Sequence, residues 1–361
     1  MSAVETRTPA TPEAAPERQP SALRRALSFI VTDRVALLGV LLVVLLAWMT
    51  ALDYNGYLVA PYDVPYLASA LESMVPLCIL ALAELIVIVS GRGGIDLSVG
   101  SMVSLAGMAF GFMVGEWGWS VPLSIAGCLA VGAVLGGING ALVAYLRFPA
   151  LIATLATYYA YSSIALVSNG NAPISSKPVQ GLNDLTSHLA LPAGLPSVPV
   201  HVFTVLLPTA VLVWLLMNRT TYGRKVYAVG TNDVAARFAN VPVPWVRFRA
   251  FLLSGVLSAV VAMVTVAQFA SARPDAGTVG NGMALPAITI AVLGGVAISG
   301  GIGRVGGVVV AALLVVWLNA GILLAFEGSQ GSQYQLFALG AVLVASALLN
   351  TYMLRRRGAT G

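Results

Sequence analysis

The chain of 361 residues contains few of the residues that build catalytic and metal sites. It has two cysteines and two histidines, and charged residues make up 9% of it, against about a quarter of an ordinary soluble domain. No stretch matches the phosphate-binding loop G-x-x-x-x-G-K-[ST], the zinc-protease string H-E-x-x-H or the hydrolase string G-x-S-x-G. We therefore predict that the chain is not an enzyme, does not hydrolyse ATP by itself, and holds no cofactor or metal.

The cysteines and histidines carry no predicted chemistry either. Cys78 and Cys128 both lie within apolar segments, so we interpret them as packing residues rather than as a disulfide or metal framework. His188 and His201 lie in or beside a long polar stretch, where a lone histidine is more often a solvated surface residue than a ligand.

Hydrophobic residues, in contrast, make up 58% of the chain and form long runs. A helix of about 20 apolar residues is long enough to cross the hydrocarbon of a bilayer. Ten segments qualify, at residues 35–52, 70–90, 97–115, 120–146, 149–168, 201–218, 245–270, 284–301, 304–326 and 333–354. The sequence therefore predicts an all-α, polytopic membrane protein with about ten transmembrane helices.

The basic residues fall almost entirely on one side when these segments are threaded back and forth. With the N-terminus inside, 17 of the 19 Lys and Arg residues lie on the inner side, and Lys177 and Arg273 lie outside. Because loops rich in Lys and Arg stay in the cytoplasm, we predict that both termini are cytoplasmic. The net charge of +5 indicates this topology and attraction to anionic membrane lipid, not nucleic-acid binding.

Residues 1–27 are predicted to form a disordered cytoplasmic tail that precedes one transmembrane domain at 28–361.

A glycine-rich motif, SGRGGIDLSVGS at residues 90–101, separates the second and third segments. Glycines break a helix and allow a tight turn, and Asp96 is placed to cap the next helix through its free N–H groups. On physical grounds alone, the motif is a tight inner turn with a cap.

The longest inner loop, residues 218–245, is predicted to contain a short amphipathic helix. Asn232 can cap its N-terminus, and Asp233 suits the positive end of the helix dipole and can pair with Arg237 four residues later. Asn240 stands where the chain must adopt a left-handed conformation to end the helix, which Asn tolerates best after Gly.

One face of this short helix is apolar and consists of Val234, Ala235 and Phe238. Two interpretations remain open: the helix lies against lipid headgroups, or it docks into a groove of an ATPase.

A few polar and small residues interrupt the apolar segments. Glu84 lies deep within a predicted helix, where a charge costs about 2.5 to 3.5 kcal/mol, so its side chain should point into the bundle. It is either a protonated or hydrogen-bonded structural acid, or a polar group on a solute path. Asn139 and Asn319 can hydrogen-bond between helices or line that same path. Gly132 and Gly136, four residues apart, predict a close helix–helix contact.

The glycine-rich motif also resembles a family signature. The stretch GGIDLSVGS at residues 93–101 is similar to the signature of the ribose-type permeases, the membrane subunits of bacterial ABC importers for pentoses, hexoses and related small polar solutes. Its signature residues are Gly93, Gly94, Asp96, Ser98 and Gly100. Similar blocks follow in the same order, with ATLAT at 153–157, YAVGTN at 227–232 and LGGVAISGG at 293–301.

This resemblance implies a permease subunit of the bacterial cytoplasmic (inner) membrane that carries a sugar or a related small polar solute. A second permease chain, identical or paralogous, would complete the translocation pathway. A separate cytoplasmic ABC ATPase would supply the energy. A soluble solute-binding protein would dock outside, where the outer loop at 169–200 lies; on physical grounds alone, this loop is a cover over helix ends.

The inner loop resembles the coupling loop of import permeases, usually Glu-Ala-Ala followed by Gly four residues after the second Ala. Val234 stands at the Glu position and Asn240 at the Gly position, while Ala235 and Ala236 match. The resemblance therefore implies that the segment couples ATPase closure to the membrane helices. The residues concerned are Asn232, Asp233, Val234, Ala235, Ala236, Arg237 and Asn240.

Two other classes of function compete with this interpretation. An ion-coupled secondary transporter of a small solute normally needs several ionisable groups within the membrane, and Glu84 alone is thin support for one. A membrane-bound enzyme would need a catalytic cluster, which the sequence does not display.

Overall fold

The computed structural model describes residues 33–186, 188–189, 196–279, 282–326 and 328–358, with side chains up to Leu348. The predicted tail at 1–27 lies outside these residues. The described chain is almost entirely helical, as predicted. Its α-helices are α1 Arg34–Tyr54, α2 Val64–Val89, α3 Val99–Gly111, α4 Val121–Gly140, α5 Ala150–Val167, α6 Lys177–Gln180, α7 Leu207–Arg219, α8 Thr221–Thr231, α9 Asp233–Phe238, α10 Val243–Gln268, α11 Ala284–Leu293, α12 Val305–Ala325 and α13 Ser329–Gly358.

Short pieces of other structure join these helices. π-helical turns at Phe112–Glu116 and Ala141–Tyr145 extend α3 and α4, and a third at Val202–Leu206 leads into α7. A 3₁₀ turn covers Gly181–Thr186. The two-residue strands His188–Leu189 and Val198–Pro199 form an antiparallel pair.

Among the described residues, nine helices are long and apolar enough to cross a bilayer, where ten were predicted. The difference lies at residues 284–301, for which one helix was expected. The helix α11 ends at Leu293 after ten residues. The backbone then turns repeatedly through Gly295, Gly300 and Gly301, which all have positive φ. The hydropathy of this stretch was interpreted correctly, but its glycines end the helix halfway.

The segment before α11 is not helical where the structure describes it, and it contacts both the outer loop and α3. Its backbone pairs at Ala272 with Ile174 of the outer loop. Five residues later, the N–H of Gly277 donates to Ser104 Oγ on α3, at 3.0 Å. The described residues 269–279 and 282–283 therefore carry no helix between α10 and α11.

A break of the same kind follows α2, where the glycine-rich motif interrupts helical structure. It comes earlier in the chain and is called the first helix break, and the segment before α11 is called the second helix break. Gly91, Arg92 and Gly93 have positive φ and turn the chain back after α2. The N–H of Asp96 then donates to Glu84 Oε2, at 3.3 Å, and Glu84 lies five residues before the end of α2. Non-helical backbone at this depth is tolerated only where protein buries it, and Asp96 is fully buried.

The two breaks meet at a pair of glycines, Gly100 and Gly277. A Cβ on either one would collide with the carbonyl oxygen of the other. Two of the other signature glycines have different roles, because Gly94 packs against the carbonyl of Val87 whereas Gly93 is open and serves the turn through its φ of 62°.

The core centres on α2 and α10, which run through the middle of the bundle. Every residue of α2 from Cys78 to Val89 is buried. The predicted contact at Gly132 and Gly136 is confirmed, since both pack directly against the backbone of α10 at Gly255. Cys78 and Cys128 are buried free thiols, as expected.

The described part of the outer loop lies over the end of α10. Asn183 Nδ2 donates to the carbonyls of Ala267 and Gln268, at 3.0 and 3.2 Å. These are carbonyls that the helix end leaves without helical partners. The expectation that His201 is a solvated surface residue was wrong. It is buried, and its Nε2 lies 2.9 Å from the Gln268 amide nitrogen, because the loop folds it inward.

Candidate functional site

The predicted amphipathic helix is present as α9, Asp233–Phe238. The side chain of Asn232 accepts hydrogen bonds from the N–H groups of Val234 and Ala235, at 3.1 and 3.0 Å, which confirms it as the N-cap. Asn240 has a φ of 57°, which confirms the predicted left-handed end of the helix.

Asp233, the first residue of α9, forms ion pairs with three arginines. Its Oδ2 lies 3.2 Å from Arg92 Nε, 3.9 Å from Arg237 Nη2 and 3.2 Å from Arg247 Nη2. Arg237 is the partner predicted from spacing, but the other two are closer. Partial burial raises the pKa of Asp233, but the Arg247 hydrogen bond and the charges of all three arginines outweigh it and lower the pKa overall.

Arg247 connects this ion cluster to the core helix α2. Its side chain is nearly fully buried, and its Nε donates to the carbonyl oxygen of Ser90, at 3.3 Å. That carbonyl directly follows the last residue of α2 and begins the glycine-rich turn. One guanidinium therefore bridges the start of α9 and the end of α2.

Close backbone contacts reinforce this bridge. The N–H of Gly301 donates to the carbonyl of Val89, at 3.0 Å. Gly230 fits between that carbonyl and the backbone of Gly301, and Gly300 packs against Gly91. The loop that carries α9 is thus in contact with the turn after α2 and with the glycine turns after α11.

The apolar face of α9 is turned away from the bundle. Phe238 is 90% exposed and Val234 is 57% exposed, and Ala235 is also exposed. Ala236 is buried against the protein. Val234, Ala235 and Phe238 therefore form an exposed apolar face on the inner loop.

A second candidate site lies inside the bundle, around Asp96. Its Oδ1 accepts hydrogen bonds from the N–H and the Oγ of Ser98, at 3.1 and 2.6 Å, and from Asn139 Nδ2, at 3.4 Å. Its Oδ2 accepts from Ser254 Oγ, at 3.0 Å. Asp96 was expected to cap α3, but it bonds to Ser98, which precedes the helix. Ser98 itself is the N-cap residue and makes no side-chain cap bond.

The three predicted solute-path residues are not all together. Glu84 and Asn139 are fully buried and both bond to Asp96 or its peptide N–H. Asn319 lies apart on α12, where its backbone carbonyl accepts from Gln335. A role for any of the three on a solute path stays a prediction.

Sequence reasoning missed Arg247 and Ser254. Arg247 was counted with the loop arginines, because nothing in the local pattern separates a buried arginine near a helix start from a solvated one. Ser254 lies at midlength of α10, and its position facing Asp96 depends on how two distant segments pack. The predicted segment 245–270 already placed Arg247 in this helix; what it did not predict is the burial of Arg247 and its bonds to Ser90 and Asp233.

Comparison with known proteins agrees with this architecture. A family model described as the permease component of branched-chain amino acid transport systems matches residues 66–347. The autoinducer 2 import system permease protein of Klebsiella pneumoniae is 35% identical over 292 residues, covering 80% of this chain and 85% of that protein. The ribose import permease protein of Escherichia coli K12 is 30% identical over 311 residues, covering 86% and 91%.

A third relative, the autoinducer 2 import system permease protein of Yersinia enterocolitica, is 37% identical over 267 residues, covering 72% of this chain and 76% of that protein. No solved structure matches the chain significantly. The family model covers most of the chain, including both helix breaks and the α9 loop. The chain belongs to the family of permease components of branched-chain amino acid transport systems.

Proposed function

We propose that this chain is the membrane permease subunit of a bacterial ABC importer and forms the pathway for a sugar or a related small polar solute. The family match and the import permeases for ribose and autoinducer 2 among its relatives support this function. In this proposal the chain lies in the cytoplasmic membrane, a separate ATPase subunit hydrolyses ATP, and a second permease chain completes the pathway.

The observation that carries the proposal furthest is the geometry of α9. Its apolar face, with Val234 and Phe238, is exposed as a docking surface requires, and its first residue is joined through Arg247 to the end of α2. A motor that pushes on Phe238 would therefore move the glycine-rich turns at the inner end of the bundle. This arrangement supports the docking interpretation of α9 over the alternative of a helix resting on headgroups.

At the opposite end, the outer loop is a candidate contact for a solute-binding protein. Its described part is held over the end of α10 by Asn183 and by the backbone pair of Ile174 with Ala272. A protein that docks there would touch the segment that leads into the second helix break at Gly277.

Uptake by proteoliposomes tests this function. The permease is reconstituted into proteoliposomes together with its ATPase, and the vesicles are loaded with ATP. The binding protein and a panel of radiolabelled sugars are then added. We expect uptake that needs ATP and is blocked by vanadate. Uptake that proceeds without ATP and follows a proton or sodium gradient would instead establish the ion-coupled secondary transporter.

A pair of exposed variants tests the docking surface in the same assay. Phe238→Asp should reduce ATP-dependent uptake by about tenfold or more, because it places a charge on the docking face. Tyr54→Asp is the matched control, since Tyr54 is 93% exposed at the opposite end of the bundle. Equal uptake by both variants would contradict docking through α9.

A further inference from the structure

The interior of the bundle holds two carboxyl groups with no positive charge bonded to either. Glu84 and Asp96 both have no exposed surface. In the part of the chain that the structure describes, every hydrogen bond to their side chains comes from a neutral donor: the Asp96 and Ser98 backbone and the side chains of Ser98, Asn139 and Ser254. The guanidinium of Arg247 is bonded instead to Ser90 and Asp233.

The four hydrogen bonds to Asp96 are enough to stabilise one buried carboxylate, but Glu84 differs. Its Oε2 accepts one hydrogen bond from the Asp96 N–H, and its Oε1 has no partner among the described residues. A buried carboxylate oxygen with no donor and no cation is strongly unfavourable. Glu84 therefore requires either a proton or a cation from outside the protein.

A second buried oxygen in the same cluster also has no partner, the Oδ1 of Asn139. The orientation of this amide is fixed by its neighbours, because a carboxylate such as Asp96 only accepts hydrogen bonds and must face the NH₂ group. The amide oxygen therefore points away from Asp96 and has no hydrogen-bond donor among the described residues. It is a neutral oxygen on a side chain whose amide nitrogen contacts Asp96 and Ser98.

We propose that Glu84 and Asn139, with Asp96, form a binding site for one small monovalent cation, for which sodium is the probe. Oxygen atoms from carboxylates and amides are the ligands of hard cations. A single positive charge matches the one carboxylate that hydrogen bonds leave unbalanced.

The position of the site in the fold gives it a structural effect. Asp96 belongs to the non-helical segment that runs back into the bundle, and Glu84 to the continuous helix α2. A cation between them would hold the first helix break against α2, close to the point where Gly100 meets Gly277. Cations at interrupted helices occupy comparable positions in other transporters. This inference is independent of ATPase docking.

Thermal unfolding of the purified, detergent-solubilised permease tests the site. Sodium chloride replaces N-methyl-D-glucamine chloride at constant ionic strength. We expect the melting temperature to rise by about 2 °C or more with sodium and to saturate, because a ligand that binds only the folded state stabilises it. A melting temperature that stays flat in sodium but changes with pH would mean that Glu84 holds only a proton, and would overturn the proposal.

Two variants locate the effect. Glu84→Gln should abolish the sodium response, whereas Glu72→Gln, three turns earlier on the same helix, should keep it. A Glu84→Gln protein that retains the full sodium response would overturn the site. Because a core variant can fail to fold, the binding of radioactive sodium to the wild-type permease is measured as well. We expect saturable binding of about one ion per chain. A lack of saturable binding would also overturn the proposed site.

Discussion

Asp233 Oδ2 lies 3.2 Å from Arg247 Nη2, and this contact ties the first residue of α9 to the helix α10. The same guanidinium reaches the carbonyl of Ser90 at the end of α2. The side chain of Arg247 therefore joins α9 and α10 to the end of α2, which is far away in the sequence. A displacement of α9 cannot leave α2 unaffected unless this contact breaks, which makes Arg247 the residue through which we expect motion to be transmitted.

Replacing Arg247 should uncouple ATP hydrolysis from transport. Arg247→Met removes a charged hydrogen bond worth about 1.5 to 3 kcal/mol and frees Ser90. We expect the ratio of solute taken up to ATP hydrolysed to fall while hydrolysis itself continues. Arg224→Met is the control, because Arg224 is exposed on α8 and is not one of the three arginines paired with Asp233. Loss of hydrolysis and uptake in equal proportion would indicate that Arg247 only supports folding.

Gly230 should tolerate no side chain. A Cβ there would collide with the Val89 carbonyl and with Gly301. Gly230→Ala should therefore destabilise the permease by about 1 to 3 kcal/mol or force the inner turns apart. Gly306→Ala is matched in chemistry but meets no atom within 4 Å, and it should be neutral or slightly stabilising. The melting temperatures of the two variants are compared with that of the wild type. Equal melting temperatures for the two variants would contradict the close contact at Gly230.

The end of α9 should accept glycine but not alanine. Asn240 has a φ of 57°, a conformation that costs an ordinary residue about 1 to 2 kcal/mol. Asn240→Gly should keep transport and stability unchanged, and Asn240→Ala should lower the melting temperature. If alanine is tolerated as well as glycine, the left-handed end is not required in the working protein.

The ion cluster at Asp233 should be insensitive to pH near neutrality. The pKa of Asp233 is lowered in the folded protein. The stabilisation by its ion pairs is therefore complete above the ordinary aspartate pKa of about 3.9, and it is lost only as the pH falls through the lower pKa of the folded state. The difference in melting temperature between wild type and Asp233→Asn should thus stay constant from about pH 8 to about pH 5. A difference that changes between pH 6 and pH 8 would contradict this assignment.

Local patterns in the sequence predicted the local features of this protein well. Asn232 as a cap, Asn240 as a left-handed residue, and the inward position of Glu84 all follow from chemistry within a few residues of each position. Approximate helix lengths could also be predicted, because the thickness of the bilayer fixes the length of a helix that crosses it. The prediction that both termini are cytoplasmic rests on charge alone.

Long-range packing could not be predicted in this way. The segment at 284–301 has the average hydropathy of a full transmembrane helix. Its glycines indicate that the helix ends early, but an average over hydropathy does not include the conformational preference of glycine. The bond from Ser254 to Asp96 and the bridge from Arg247 to Ser90 join residues more than 150 positions apart. Such contacts depend on the tertiary arrangement of the helices, which no local period encodes.

Site-directed cross-linking at Phe238 tests the central claim most directly. Both native cysteines are buried, so Phe238→Cys provides a single accessible thiol among the described residues for a photoreactive maleimide. In the purified complex, we expect position 238 to cross-link to the ATPase subunit, and Tyr54→Cys not to do so. An intact, transport-competent complex in which position 238 never reaches the ATPase would contradict the proposal that α9 receives the force of ATP hydrolysis.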